Sequence, residues 1–531
     1  MTTTLDQNIN LSDGPIRGPG RDADGVLAFK GIPFAAPPVG PLRWKPPTPP
    51  SPRTHVLDAT QFGSTGWSFL RGLPTSTPES EDCLTLNIWT AALRSSEKRS
   101  VMIWIHGGGF QFGSSATPKY DGSELAKKSV VCVSFNYRLG ALGFLALPGL
   151  DEEGHPSGNF GLQDQLAAIR WVRNNIAAFG GDPNNITLFG ESAGGHAIGL
   201  LMSSPLAEGL FHKGILQSGA FWDTENGSLP TIEEAHQQGL LLAKKLGANS
   251  ISKLRSLPAK TIVEAAQWNP LTDPRLTAFA PSIDGYVLPC APARTFLEGR
   301  QMKIPIIAGW NAVEEYFFKA GALPHSSPAE FKSVSSLLFG SRTEEFLSFY
   351  PADTNELATA SSDLLIGDLR ISQQTWEAVD LHSRHGESPA YAYYLTYTSP
   401  YSPVAAHGAD LAFVFGTLGR NEIVDSAPPA GAKDRLFSDQ VMAYWINFAN
   451  NGNPNDQKAS LPLWSAYGGG GPDVQELGET IAPVNFPRAR FEFLQSLRAD
   501  GVLPTHWLQN NVSSGSENAG ASVLDNTILS G

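Results

Sequence analysis

Cysteine is scarce in this sequence, and its scarcity excludes two kinds of architecture. The chain has three cysteines in 531 residues, Cys83, Cys132 and Cys290. An odd, widely spaced set supports neither a disulfide framework nor the close ligand spacing of a cysteine-bound metal. We therefore expect no disulfide scaffold and no structural metal.

Basic charge and long apolar runs are also missing. The 38 Lys and Arg residues are outnumbered by 51 Asp and Glu residues, so the formal net charge is −13. Such a surface repels phosphate backbones, which argues against a nucleic-acid partner and mildly favours neutral or cationic ligands. No run reaches the roughly 18 apolar residues that a membrane-spanning helix needs.

The two ends of the sequence carry no recognisable targeting signal. Residues 1–14 read MTTTLDQNINLSDG, without the basic and apolar segments of a secretory signal. The last residues, NTILSG, match neither a peroxisomal nor an ER-retention signal. Together with the sparse cysteines, these features predict an intracellular and cytoplasmic protein, of an oligomeric state that the sequence leaves open.

Short apolar segments alternate with helical patterns along the chain. Apolar residues at three- and four-residue spacing predict helices over 161–178 and 436–449. Strands are predicted over 101–105, 130–137, 186–189, 214–217, 304–308 and 391–397. This alternation indicates an α/β protein with a mostly parallel sheet between helices. We expect one domain over 1–531, with an irregular N-terminal arm over about 1–60 and a loose tail over about 510–531.

Ser192 lies at the centre of GESAG, residues 190–194. A bare G-x-S-x-G is weak evidence in a glycine-rich chain, but this one follows a predicted strand and opens a helical segment. That context is typical of a nucleophile elbow, in which a strained turn exposes the serine and small neighbours let strand and helix pack closely. We therefore predict that Ser192 is a nucleophile.

A second motif, HGGGF at 106–110, directly follows the predicted strand over 101–105. Consecutive glycines let backbone N–H groups turn towards a developing oxyanion without interference from side chains. We expect the N–H groups of Gly108, Gly109 and Ala193 to form an oxyanion hole.

A nucleophilic serine needs a base, and eleven histidines compete for that role. We favour His407, in a loop after the strand predicted over 391–397. The main alternative is His196, four residues after Ser192 on the same predicted helix. Because that helix leads away from the elbow, a packed or capped position is the plainer interpretation of His196.

The base in turn needs an acid that orients it. Glu314 follows the strand predicted over 304–308, and Glu315 and Asp284 remain alternatives. Catalytic groups of such sheets gather in the loops after the carboxyl ends of the strands. The chain order serine, Glu314, His407 is the order of the α/β-hydrolase triad.

Longer segments extend through nearly the whole chain in a fixed order. They are GIPFAAPPVGPLRW (31–44), SEDCLTLNIW (80–89), HGGGF (106–110), NYRLGALGFL (136–145), GNFGLQDQLAAIRWVRNNIAAFGGDP (158–183), GESAGG (190–195), QSG (217–219), SIDGYVLP (282–289), GWNAVEEYFF (309–318), HGADLAFVFG (407–416) and YWINFANNGNPN (444–455). In this order the chain resembles the type-B carboxylesterase/cholinesterase family.

The resemblance implies an α/β-hydrolase fold with a Ser192–Glu314–His407 triad and the oxyanion hole given above. It implies that Glu191 tunes the electrostatics of the site. It further implies two structural ion pairs, Arg43 with Glu81 and Arg138 with Asp164.

Two departures from the family pattern bear on function. The family's usual partner of Cys83 is missing from FGSTGWSFL (62–70), so we expect Cys83 to be a free thiol. Leu73 stands where cholinesterases have a choline-stacking tryptophan, which argues against choline esters. Phe110, Trp222 and Trp310 are candidate substrate contacts, with Trp67 as a further gorge candidate, although large aromatic residues more often belong to the core.

The sequence as a whole predicts a carboxylesterase that hydrolyses a small-molecule ester and needs no metal or cofactor. The same triad also serves acyltransferases, lactonases and amidases, which remain alternatives. A non-catalytic binding protein on this fold is a remote alternative, because such proteins typically lose the nucleophile.

Overall fold

The computed structural model of the chain describes residues 4–68, 77–221, 229–267, 279–317, 323, 327–419, 428–456 and 460–499. Its strands are β1 (Asn8–Leu11), β2 (Gly14–Arg17), β3 (Leu27–Pro33), β4 (Leu57–Asp58), β5 (Thr65–Gly66), β6 (Glu79–Ser80), β7 (Thr85–Thr90), β8 (Arg99–Ile105), β9 (Val131–Phe135), β10 (Gly181–Glu191), β11 (Lys213–Gln217), β12 (Ile306–Asn311), β13 (Ala390–Leu395), β14 (Val474–Leu477) and β15 (Ile481–Val484).

Helices precede and follow these strands. They are α1 (Ser123–Lys127), α2 (Gly140–Phe144), α3 (Pro148–Asp151), α4 (Phe160–Asn175), α5 (Ala193–Met202), α6 (Ile232–Lys245), α7 (Ile251–Arg255), α8 (Ala259–Ala265), α9 (Pro292–Leu297), α10 (Pro328–Phe339), α11 (Thr343–Phe349), α12 (Asn355–Gly367), α13 (Gln373–Arg384), α14 (Leu411–Phe415), α15 (Ala432–Asn451) and α16 (Ala489–Ala499). Two short turns matter below, a 3₁₀ turn at Glu314–Phe317 and a π-helical turn at Asp368–Ser372.

A ten-stranded sheet forms the centre of the molecule. Its order is β15-β14-β13-β12-β11-β10-β8-β9-β7-β3. The strands from β14 to β9 are all parallel, whereas β7, β3 and β15 pair antiparallel at the two edges. The six predicted strands are six neighbouring parallel strands of this sheet, so the prediction of an α/β protein with a mostly parallel sheet is confirmed.

The central strands are apolar on both faces because helices cover both faces of the sheet. Successive residues of a strand point to opposite sides. Ile103 and Leu188 join one hydrophobic cluster, while their neighbours Trp104 and Phe189 join a second cluster on the other side. A smaller third cluster joins α10, α11 and α12 to α16.

Both predicted helices are present. The helix predicted over 161–178 corresponds to α4 and a 3₁₀ turn at Ile176–Phe179 that continues it. The helix predicted over 436–449 corresponds to α15, which ends at Asn451 and is capped by Gly452. Gly452 has φ 73°, a left-handed conformation that glycine adopts without steric cost.

The N-terminal segment differs from the irregular arm that we expected. Strands β1 and β2 form an antiparallel pair, and β3 is the edge strand of the central sheet. Backbone pairing with β7 recruits β3, and the sequence pattern did not predict this contact. The proline-rich part after β3 is largely irregular, and the tail expected over about 510–531 lies outside the described residues.

The remaining structural predictions can be checked in the described residues. Arg43 Nη2 lies 2.6 Å from Glu81 Oε2, and Arg138 Nη2 lies 2.7 Å from Asp164 Oδ1, which confirms both ion pairs. All three cysteines are described, and none of them is in a disulfide. No helix within the described ranges is both long enough and apolar enough to cross a membrane.

Candidate active site

Ser192 occupies the sharp turn between β10 and α5. Its backbone has φ 57° and ψ −125°, a region that non-glycine residues rarely adopt. The Ser192 N–H donates to the Gln217 carbonyl at 2.9 Å, and the Ser192 carbonyl accepts from the His196 N–H at 2.9 Å. These contacts hold the strained conformation, as the nucleophile-elbow geometry requires.

The glycines on either side of this turn are sterically required. A Cβ atom on Gly190 would lie 2.6 Å from the backbone carbon of Gly194. A Cβ atom on Gly194 would collide with the backbone carbonyl of Ile105 in β8. The close packing of strand and helix that the sequence predicts at this motif is therefore confirmed.

The glycine loop after β8 reaches the same turn. A Cβ atom on Gly107 would lie 3.1 Å from the Ser192 Cβ atom and 2.6 Å from the Glu191 carbonyl oxygen. Gly108 has φ 109° and Gly109 has φ 59°, so both adopt backbone conformations that favour glycine. The loop and the N-terminus of α5, where Ala193 is the first residue, are thus brought beside Ser192.

His407 lies in the loop after β13 and contacts a carboxylate through each ring nitrogen. Its Nδ1 is 2.6 Å from Glu314 Oε2, and its Nε2 is 3.1 Å from Glu191 Oε1. The preceding residue is anchored, because Asn311 Nδ2 donates to the Ala406 carbonyl at 2.7 Å. The ring is 6% exposed, so these contacts are shielded from water.

Glu314 is fixed by two further hydrogen bonds. Its Oε1 accepts from the Asn311 N–H at 2.6 Å and from Ser218 Oγ at 2.7 Å. The residue is 1% exposed and begins the 3₁₀ turn after β12. One carboxylate oxygen is thereby held by the protein, while the other faces His407.

These contacts determine the electrostatics of the site. Burial lowers the pKa of His407, but Glu191 and Glu314 more than compensate and raise it to about 9. Burial raises the pKa of Glu191 to about 7, against the opposing charge of His407. The arrangement therefore favours a positive imidazolium between two carboxylates.

Comparison with known proteins places the chain in a family. The carboxylesterase family model matches residues 5–487. The chain is 39% identical over 457 residues to the fumonisin B1 esterase of Sphingopyxis macrogoltabida, covering 83% of this chain and 82% of that protein. It is 36% identical over 475 residues to the para-nitrobenzyl esterase of Bacillus subtilis (strain 168), with coverages of 87% and 92%. This chain belongs to the carboxylesterase family.

A solved structure leads to the same family. A PNB esterase matches with a TM-score of 0.78 at 33% sequence identity, covering 93% of this chain and 100% of that chain. The chain is thus an ester-hydrolysing enzyme with an α/β-hydrolase fold.

The alternative base and acids of this carboxylesterase have other partners. His196 is 1% exposed and forms a hydrogen bond with the Phe221 backbone; its pKa is lowered to about 3, chiefly by burial. Asp284 Oδ1 accepts from the N–H groups of Tyr286 and Leu288 and so stabilises its own turn. Glu315 approaches Gly367 at the start of the π-helical turn.

The structure places two of the aromatic residues predicted to contact substrate in the hydrophobic core. Trp310 is 1% exposed and packs edge-on against Phe486 and Phe491, which favours the core position that we set beside the prediction. Phe110 is fully buried against Tyr137 and Phe144, so it too packs in the core. Trp67 packs against the main hydrophobic cluster and is partly buried, and Trp222 lies outside the described residues.

Sequence reasoning missed several residues that support the site. Ser218 and Asn311 hold Glu314 by hydrogen bonds. Both lie in segments that resemble the family, QSG and GWNAVEEYFF, but the sequence pattern predicted no role for either residue. Asp410 is buried three residues after His407, and its Oδ2 accepts from Gln217 Nε2 at 2.6 Å and from Tyr393 at 3.1 Å. Within the described ranges, no group of three or more acidic, histidine or cysteine side chains is arranged to hold a metal ion.

Proposed function

We propose that this carboxylesterase hydrolyses small-molecule carboxylic esters through a Ser192–His407–Glu314 triad and an acyl-enzyme intermediate. The observation that carries the proposal is the 2.6 Å contact between His407 Nδ1 and Glu314 Oε2, with His407 Nε2 beside Glu191, the residue that precedes the strained Ser192. In a Ser-His-acid triad, a carboxylate at Nδ1 holds the imidazole in the tautomer whose Nε2 can accept the serine proton.

The first half of the reaction forms the acyl-enzyme. Ser192 Oγ attacks the ester carbonyl carbon while His407 Nε2 takes the hydroxyl proton. The tetrahedral intermediate collapses, the C–O bond to the alcohol breaks, and His407 returns the proton to the leaving alkoxide. Glu314 stays ionised and stabilises the imidazolium.

The second half repeats these steps with water as the nucleophile. His407 takes a proton from water, the hydroxyl attacks the acyl carbon, and Ser192 leaves with the proton that His407 returns. The products are the free carboxylic acid and the restored serine. Every proton passes through side chains of this chain, so the steps need no metal or cofactor.

We assign the oxyanion to the N–H groups of Gly108, Gly109 and Ala193. The close approach of Gly107 to Ser192 and the positive φ angles of the two glycines support this assignment. In acyl-transfer enzymes one such donor contributes about 10²–10³-fold to the rate.

Glu191 acts on the same imidazole from its other nitrogen. Its carboxylate lies 3.1 Å from His407 Nε2, and it precedes the nucleophile in the chain. A second carboxylate stabilises the imidazolium that forms during both halves of the reaction. We therefore assign Glu191 an electrostatic role and leave proton transfer to His407.

The names of the relatives support an ester as the substrate. The fumonisin B1 esterase and the para-nitrobenzyl esterase differ in the compounds for which they are named. Their shared feature is the ester bond, and it is this reaction class that we carry over to the present chain.

The proposal is tested by ester hydrolysis together with active-site labelling. Initial rates are measured on p-nitrophenyl esters of increasing acyl length for wild type, Ser192→Ala and Ser203→Ala. Ser203 is the matched control because it caps the far end of α5, where its hydroxyl bonds the Gly199 carbonyl. We expect turnover by wild type and Ser203→Ala, and a loss of about 10⁴-fold or more in Ser192→Ala.

A fluorophosphonate probe separates the two ways in which this test can fail. Labelling of Ser192 without hydrolysis of any ester would contradict ester hydrolysis and favour an acyltransferase or another acyl-enzyme reaction. Failure of both labelling and turnover would contradict the nucleophile itself.

A further inference from the structure

Gln217 is a fully buried polar residue to which the proposed mechanism assigns no role. It is the last residue of β11, at the carboxyl end of the strand. Burying an amide is costly unless its polar atoms are hydrogen-bonded. The partners of this amide therefore indicate why a glutamine occupies the position.

Both polar atoms of the amide have a partner. Nε2 donates to Asp410 Oδ2 at 2.6 Å, and Oε1 accepts from Trp445 Nε1 at 3.2 Å. Because an indole N–H can only donate, it fixes which end of the amide carries the oxygen. The NH₂ group of Gln217 is thereby turned towards Asp410.

The charged form of Asp410 depends on few donors. Its Oδ2 also accepts from the Tyr393 hydroxyl at 3.1 Å, whereas its Oδ1 is buried without a hydrogen-bond partner among the described residues. Burial raises the pKa of Asp410, and the hydrogen bond from Gln217 lowers it. Gln217 therefore stabilises the ionised carboxylate.

Asp410 belongs to the loop that carries His407. It follows His407 by three residues, and the turn around them is closed by the Ala409 N–H, which donates to the Ala406 carbonyl at 2.9 Å. The charge of Asp410 raises the pKa of His407, after the larger effects of burial, Glu191 and Glu314. Asp410 is thus a third carboxylate that acts on the same imidazole.

The same glutamine contacts the nucleophile turn through its backbone. Its carbonyl accepts from the Ser192 N–H at 2.9 Å, and it is paired in the sheet with Glu191 of β10. Ser218, the next residue, bonds Glu314. The carboxyl end of β11 therefore joins the elbow, the acid and the loop of the base.

Other charged and titratable groups also surround this loop. Glu191 acts on His407 from β10 and Glu314 from the turn after β12, and Lys119 acts in turn on Glu191. His196 on α5 is kept neutral, chiefly by burial, which lowers its pKa to about 3. Burial raises the pKa of Tyr393 well above its ordinary value, so it remains a hydroxyl donor.

The side chain of Gln217 reaches only one of the three carboxylates. Its described hydrogen bonds go to Asp410 and Trp445, and neither Glu191 nor Glu314 is among its partners. A change in this side chain is therefore transmitted to His407 through Asp410.

We propose that Gln217 is a positioning residue of the esterase reaction, which keeps Asp410 charged and thereby stabilises the His407 imidazolium in the transition state. The indole of Trp445 orients the amide for this contact. The inference rests on the proposed function and deepens it. An amide that only filled the core would affect stability, whereas Gln217 is expected to set the pH at which the enzyme works.

The test is the pH dependence of kcat/KM in Gln217→Met, measured on the p-nitrophenyl ester that wild type hydrolyses fastest. Methionine has a similar length but no strong hydrogen-bond donor. Without the donor Asp410 is less ionised, so the pKa of His407 falls and the rise of kcat/KM with pH moves to lower pH. We expect a shift of about half a pH unit and a loss of about threefold at the plateau.

Gln475→Met is the matched control. Gln475 is also a fully buried amide in the central sheet, on β14, and its Nε2 bonds the Tyr444 hydroxyl at 3.4 Å. Its pH profile should coincide with that of wild type. An unshifted profile in Gln217→Met, whatever its loss of rate, would overturn the proposal.

A double variant tests whether Gln217 acts through Asp410. Asp410→Asn removes the charge outright and should shift the profile further than Gln217→Met does. In the double variant Gln217→Met/Asp410→Asn we expect the profile of Asp410→Asn alone, because the amide then has no charge left to stabilise. A further shift in the double variant would overturn the route through Asp410.

Trp445→Phe provides a second way to disturb the amide. It keeps an aromatic ring but removes the N–H that orients Gln217, so the profile should shift in the same direction by a smaller amount. Thermal unfolding shows whether each variant is folded across the pH range. If Gln217→Met does not fold, Trp445→Phe decides, and an unshifted profile there would overturn the proposal.

A labelling experiment separates this proposal from the proposed function. The rate constant for labelling of Ser192 by a fluorophosphonate also requires a neutral His407, so its pH dependence reports the same shift without ester turnover. A shift in labelling without hydrolysis of any ester would support the role of Gln217 and contradict ester hydrolysis. Ester turnover with no shift in either measurement would do the reverse.

Discussion

Two histidines lie near Ser192, and their surroundings could hardly differ more. His407 arrives from a distant loop and contacts Glu314 and Glu191 through its two ring nitrogens. His196 lies one turn into α5, fully buried, and bonds the Phe221 backbone. Closeness to the nucleophile in the sequence therefore does not decide which histidine can serve as its base.

The charges around each ring explain the difference. Burial alone disfavours the protonated form of both histidines. At His407 two carboxylates overcome burial and raise the pKa to about 9, whereas at His196 the positive charges of His407 and Arg370 add to burial and lower it to about 3. The surroundings of His407 favour its protonated form, whereas those of His196 disfavour it. A general base becomes protonated in the transition state, so His407 fits that role.

The contrast between the two histidines is tested most directly by replacing each of them with alanine. His407→Ala should lower kcat on a p-nitrophenyl ester by about 10⁴-fold or more, because the serine loses its proton acceptor. His196→Ala should stay within about tenfold, since that ring has no part in proton transfer. Initial rates of both variants and wild type provide the measurement. A larger loss in His196→Ala than in His407→Ala would reverse our assignment of the base.

A slightly smaller effect is expected at the acid. Glu314→Gln preserves the side-chain shape but removes the charge that holds the tautomer, so kcat should fall about 10³- to 10⁴-fold. Glu315→Gln is the matched control at the adjacent position, and its rate should remain near that of wild type. Equal losses in the two variants would point to disruption of the 3₁₀ turn and not to a triad acid.

The smallest expected effect concerns the second carboxylate and appears in the pH profile. His407 must be neutral to accept a proton, so kcat/KM rises with pH as the imidazolium is lost. Removing a carboxylate in Glu191→Gln lowers the pKa of His407 from about 9, which moves this acid limb to lower pH. The plateau should also fall, by about tenfold, because the transition-state imidazolium loses one stabilising charge.

The measurement is kcat/KM across the pH range in which the fold is intact, for wild type and Glu191→Gln. Asp410→Asn is a useful comparison, since Asp410 also raises the pKa of His407 but has Gln217 and Tyr393 as its own hydrogen-bond partners. An acid limb that does not move in Glu191→Gln would contradict the role assigned to that carboxylate.

Much of the fold follows from local pattern. The six predicted strands are apolar runs because helices cover both faces of the sheet, and such runs can be recognised without knowledge of their neighbours. The elbow at Ser192 is likewise local, since its strand, glycines and helix are contiguous. The edge strand β3 escaped prediction because its pairing with β7 is a contact between distant segments.

The aromatic residues mark another limit of local pattern. The sequence leaves open whether Trp310 meets a substrate or packs in the core, where it contacts the side chains of Phe486 and Phe491. Those partners come from far along the chain. The same holds for Phe110, whose neighbours Tyr137 and Phe144 lie in other segments.

Contiguous motifs were enough to predict the reaction class, because their backbone requirements can be read from glycine, serine and strand pattern. The order of the three triad candidates along the chain also follows from the sequence. Which atoms meet depends on the fold, which brings Glu314 and His407 together across 93 residues. The physical reason is that charge pairing and burial depend on distances in space, which parallel-sheet topology sets and local pattern does not encode.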